Sequence, residues 1–126
     1  MSVLAYLEHV AIRVRDPAPH VAFFRDALGM DIRQIDGPAE APHQVWLQGG
    51  LQLVRDPDFA GGEGRFLHLG LMVDDLDAAI ASARRHGAHS LPKGDNWLAL
   101  PDGLVIELLQ AGPDAVARIR AIDPRG

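Results

Sequence analysis

HVAIRVRD at residues 9–16 and HLGLMVDD at residues 68–75 match position for position. Each opens on histidine, alternates apolar side chains with others, and closes on aspartate. Successive side chains of an extended chain point to opposite sides, so this period of two predicts a strand with one face packed on a core. A helix pattern follows each strand. Asp16 suits an N-cap, and Pro17 suits the first helical position, where its missing N–H costs nothing. Val21, Phe24 and Leu28 then recur at helical spacing, and Gly29 stands where a left-handed residue ends a helix. In the second copy Asp75 caps, Leu76, Ala79, Ile80 and Ala83 form the stripe, and Gly87 stops it.

Three short strands are predicted behind each helix, at about 31–36, 44–48 and 50–54, and again at about 89–92, 96–100 and 103–109. Gly37-Pro38, Pro42 and Gly49-Gly50 break the first set; Pro92, Gly94 and Pro101-Asp102-Gly103 break the second. The order βαβββ thus occurs twice. We expect one α+β domain over residues 1–126: a first module at about 5–55, a linker at about 56–66, a second module at about 67–110, and a C-terminal helix at about 113–122. Val116, Ile119 and Ile122 are the expected inner stripe of that last helix.

Composition narrows the function. The 126 residues carry a formal charge of −5 and are 48% hydrophobic, as in ordinary globular chains. The basic residues are scattered, so neither nucleic acid nor an anionic membrane is an expected partner. There is no cysteine, which excludes a disulfide framework, thiolate metal ligands and a cysteine nucleophile, and suits a reducing cytoplasm. MSVLAYLEHV does not read as a signal peptide, and no apolar run is long enough to span a bilayer.

Strand alternation then separates the chemistry from the core. Val10, Ile12 and Val14 share one face, which leaves His9, Ala11 and Arg13 on the other. Leu69, Leu71 and Val73 likewise leave His68 opposite, Leu51 and Leu53 leave Gln52, and Leu104, Ile106 and Leu108 leave Glu107. Each half supplies one histidine and one later polar residue on the face not needed for helix packing. Two imidazoles and a carboxylate suit a borderline divalent ion such as Zn, Fe, Mn, Co or Ni. Gln52 can add a neutral oxygen or act as a hydrogen-bonding partner, and positions left open for water or substrate mark a catalytic rather than a structural metal. Arg13 can meet a substrate carboxylate or phosphate, or be plain surface. Trp46 and Trp97 can wall a pocket or pack the sheet rim. His20, His43, His86 and His89 lack such pairing and read as surface or loop residues. No residue stands out as a general base; Glu40 lies in a proline-rich loop.

The chain resembles the vicinal oxygen chelate superfamily, which includes glyoxalases, bleomycin-resistance proteins, epimerases and extradiol dioxygenases. The carriers are His9 opening HVAIRVRD, His68 opening HLGLMVDD, and Glu107 in PDGLVIEL, over about residues 7–109. The resemblance implies two βαβββ modules in an open, cup-shaped mixed sheet with helices outside, commonly as a homodimer. It implies His9, Gln52, His68 and Glu107 as metal ligands, a set closest to the methylmalonyl-CoA epimerase branch. The implied activity is that of a lyase or isomerase, in which bidentate chelation of a small oxygenated substrate stabilises an enolate-like species. The same resemblance allows a metal-independent sequestration protein, or an extradiol-type dioxygenase.

Overall fold

The computed structural model describes residues 3–126. Eight strands and three helices follow in order: β1 (Ala5–Val14), α1 (Pro17–Leu28), β2 (Ile32–Asp36), β3 (Gln44–Leu47), β4 (Leu51–Arg55), β5 (Phe66–Val73), α2 (Leu76–Arg85), β6 (His89–Leu91), β7 (Gly94–Ala99), β8 (Val105–Gln110) and α3 (Ala115–Arg120). This is the expected α+β order, βαβββ twice and then a helix. The strands form an open mixed sheet in the order β2-β3-β4-β1-β5-β8-β7-β6.

The described chain divides into two compact units, His9–His68 and Leu69–Gly126, the latter including the residues up to Glu8. β1 runs for ten residues, and its first part belongs with the second unit, where Asp74 N–H donates to the Leu4 carbonyl at 3.1 Å.

Within the His9–His68 unit, β1 runs parallel to β4, and β3 lies antiparallel to both β4 and β2. Asp16 caps α1 by accepting from Ala18 N–H, and Gly29 closes it with φ of 68°. The core consists of Val14, Val21, Val45, Leu47 and Leu53, with Ile12 and Phe24 against it. Leu28, expected in the helix stripe, is 60% exposed, whereas Pro17 is buried at the other end.

The other unit repeats the scheme. β5 runs parallel to β8, and β7 lies antiparallel to β8 and β6. Asp75 caps α2 by accepting from Ala78 N–H. Val73, Ala79, Leu98, Ile106 and Leu108 make its core, and Leu76, Ile80 and Ala83 of the predicted stripe pack on it. The last helix departs from expectation. Only Val116 is buried (3% exposed); Ile119 and Ile122 are 43% and 64% exposed. α3 has only six residues and ends before Ile122, so its side chains cannot all share one buried stripe.

Candidate metal centre

His9 stands on the face of β1 opposite to Val14 and Ile12, which pack on the helix-side core. That opposite face is nevertheless covered: His9 is 4% exposed and Ala11 0%. A buried imidazole needs polar partners, and one of its neighbours is another imidazole. His9 Nε2 lies 3.1 Å from His68 Nε2. The rings meet edge to face at 87°, with centroids 5.2 Å apart. Two nitrogens each about 2.0–2.1 Å from one ion would be about 2.9–3.4 Å apart at cis-octahedral to tetrahedral angles. The observed spacing falls inside that window, so this pair fits a divalent ion.

Gln52 follows from the register of β1 with β4. Its Cα partner is Ala11, two residues beyond His9 on the same face. Gln52 is 5% exposed, and its Nε2 donates to Gln44 Oε1 at 2.6 Å. Its Oε1 is buried with no hydrogen-bond partner. Leaving such an acceptor unsatisfied costs about 1–3 kcal/mol, and a cation is one of the few ligands that would use it. The donor set of neutral nitrogens and an amide oxygen suits a borderline ion.

Glu107 occupies the equivalent place in the second unit. It pairs with Gly70, two residues beyond His68, as Gln52 pairs with Ala11. The tryptophans obey the same symmetry: Trp46 is the cross-strand partner of Gln52, and Trp97 of Glu107. Both indoles are half-buried, and the Lys93 ammonium lies 3.9 Å from the Trp97 ring centroid.

The fold has counterparts among known proteins. The family model described as "glyoxalase-like domain" matches residues 9–109. The chain belongs to that family. It is thereby a member of the vicinal oxygen chelate superfamily. Solved structures agree on the fold of this glyoxalase-like chain. A hypothetical protein of Bacillus halodurans C-125 superposes with a TM-score of 0.65 at 14% identity, over 88% of this chain and 97% of its own. A single-residue variant of Streptomyces coelicolor methylmalonyl-CoA epimerase, in complex with 2-nitronate-propionyl-CoA, gives 0.63 at 23% identity, over 87% and 96%. The 2,3-dioxygenase LapB of Pseudomonas sp. KL28 gives 0.62 at 17% identity, over 86% of this chain but 44% of its own. No curated protein matches the chain. No described helix is long and apolar enough to cross a membrane.

Other polar residues of this glyoxalase-like chain have partners or surroundings of their own. Arg13 was expected on the same face as His9; the structure pairs its Nη1 with Asp56 Oδ2 at 3.1 Å. Its charge already has a fixed counter-ion, which competes with any substrate anion. His20 in α1 bonds the Asp16 backbone carbonyl, His86 at the C-cap of α2 bonds that of Ser82, and His43 and His89 are exposed. Gln44 is the residue that sequence reasoning passed over. It alternates with Trp46 and so shares its face, but its contact with Gln52 depends on the register of β3 with β4.

Proposed function

We propose that this glyoxalase-like protein is a divalent-metal-dependent enzyme, with His9, His68 and Glu107 as ligands and Gln52 as a fourth. The observation that carries the reading is the approach of the two imidazole Nε2 atoms, from equivalent positions of the repeat, to 3.1 Å. The unsatisfied oxygen of Gln52 supports it. A bound ion would supply Lewis acidity, polarising a substrate carbonyl and stabilising negative charge that develops on its oxygen. His9 and His68 would hold it through neutral nitrogens, and Glu107 would offset one of its charges. Four protein donors leave room for a substrate bearing two neighbouring oxygens. Trp46 and Trp97 would flank that substrate with apolar surface and exclude water, and Arg13 would meet an acidic group on it only by releasing Asp56.

Among the fold neighbours, methylmalonyl-CoA epimerase favours isomerase or lyase chemistry next to a carbonyl. The dioxygenase neighbour makes ring cleavage the alternative, although this chain spans less than half of that one. The same reading has the enzyme acting as a cytoplasmic homodimer on a small molecule; its lack of cysteine suits a reducing compartment. Metal analysis of protein purified without chelator tests the centre. One equivalent of a first-row divalent metal is expected, and it should be lost in His68→Ala. Full occupancy in that variant would overturn the assignment.

The equivalent tryptophans favour a second reading, sequestration of an apolar or aromatic ligand without metal. Quenching of tryptophan fluorescence by such a ligand at equal affinity with and without chelator would select it.

A further inference from the structure

Three side chains link three neighbouring strands, directly across from β2 to β3 and diagonally from β3 to β4. Asp36 on β2 is the Cα partner of Gln44 on β3, and Gln44 Nε2 donates to Asp36 Oδ2 at 3.4 Å. Gln44 Oε1 in turn accepts from Gln52 Nε2 at 2.6 Å, and Gln52 Oε1 ends the line without a partner. The direction of this line follows from chemistry rather than from the two ends of an amide that look alike. An ionised carboxylate only accepts, so Asp36 calls for the NH₂ of Gln44. That turns the Gln44 oxygen toward Gln52, and a carbonyl oxygen also only accepts. The NH₂ of Gln52 must then face Gln44, and its oxygen is left over.

We infer that Asp36 and Gln44 are positioning residues which fix the polarity of the Gln52 amide, so that a buried acceptor oxygen rather than an NH₂ is presented beside the His9–His68 pair. For its consequence, metal affinity, the inference rests on the function proposed above. The orientation itself can be measured without metal. Reversing one member of the line reverses all that follow it. An NH₂ group offered to a cation repels it, so the charge on Asp36, exposed on β2, decides whether a buried site can use its fourth donor.

Two substitutions at Gln44 separate polarity from packing. Gln44→Glu keeps an acceptor opposite Gln52, and Gln44→Lys offers only donors. In metal-free protein, NMR should show one Gln52 side-chain NH₂ proton shifted downfield and slow to exchange. Its resonance is identified by its disappearance in Gln52→Glu. The signature should persist in Gln44→Glu and vanish in Gln44→Lys; the opposite pattern, or no difference between the two, overturns the relay. Cobalt(II) alone is the second probe. Gln44→Glu should match the parent protein in affinity and visible spectrum, whereas Gln44→Lys should bind about 10- to 100-fold more weakly with a shifted band, the usual scale for partners that orient a metal ligand. An unchanged affinity and band in Gln44→Lys would also overturn it. Asp36→Asn changes an exposed side chain, so folding is not at stake. It should split the Gln52 amide signal into two sets, because asparagine both donates and accepts; a single unchanged set removes Asp36 from the relay. A parent protein with the NMR signature but no cobalt binding would sink the metal reading and leave the orientation standing.

Discussion

His9 and His68 are 59 positions apart in the chain, yet their Nε2 atoms lie 3.1 Å from each other. Each comes from a histidine that opens a repeat, so one contact joins the two starting points of the duplication. In the metal-free protein such a contact is a hydrogen bond, with one ring donating to the other's lone pair.

That bond should be measurable as a coupling. In chelator-treated protein we expect His9→Ala and His68→Ala each to lower stability by about 1 kcal/mol, and the double variant to fall short of their sum by about 0.5–1.5 kcal/mol. Urea denaturation of the four proteins gives the answer. Strict additivity would show that the rings do not interact in solution.

Metal addition should be visible to the tryptophans. Trp46 and Trp97 are cross-strand partners of Gln52 and Glu107, and directly opposed residues have Cβ atoms about 4.5–5.5 Å apart. Cobalt(II) should therefore quench both indoles, and Trp46→Phe and Trp97→Phe should each retain part of the effect. Quenching confined to one tryptophan would contradict the proposed ligation by both Gln52 and Glu107.

Gly29 and Gly37 should respond differently to alanine. Both have positive φ, 68° and 92°. A Cβ on Gly29 meets nothing within 4 Å, so only backbone strain of about 1–2 kcal/mol is expected. On Gly37 it would lie 2.9 Å from the His43 ring and 3.0 Å from the His43 backbone nitrogen. Overpacking there should add about 1–3 kcal/mol. Because Gly37 opens the loop that joins Asp36 to Gln44, Gly37→Ala should also weaken cobalt binding; Gly29→Ala should not.

The two helix caps offer a matched pair. Asp16 accepts from Ala18 N–H at 3.2 Å and Asp75 from Ala78 N–H at 3.1 Å. Alanine at either should cost about 1 kcal/mol by thermal or urea denaturation. A loss well above 2 kcal/mol at one of them would reveal a role beyond capping.

Core truncation should be more severe. Leu53 and Leu98 are both 0% exposed, one in each core cluster. Leu53→Ala and Leu98→Ala should each cost about 2–5 kcal/mol. Leu53 neighbours Gln52 in sequence, so its truncation should also loosen metal binding, an effect read by chelator competition.

By itself, the amino-acid sequence determined what depends on neighbours along the chain. Asp16, Pro17 and Gly29 bound α1, and Asp75 caps α2, because caps are satisfied within a few residues. Alternation in 9–16 and 68–75 sorted His9 and His68 from the core because a pleated strand allows only two faces. The repeat supplied the βαβββ order and the four candidate ligands. Tertiary structure decided what depends on register between distant segments. The Nε2 contact of His9 with His68, the partnership of Arg13 with Asp56, and the line from Asp36 through Gln44 to Gln52 each follow from pairings that alternation leaves open. The same holds for α3, where a periodic stripe suggested burial, yet Ile119 and Ile122 are exposed. Periodicity says which side chains share a face; only packing says whether anything covers it.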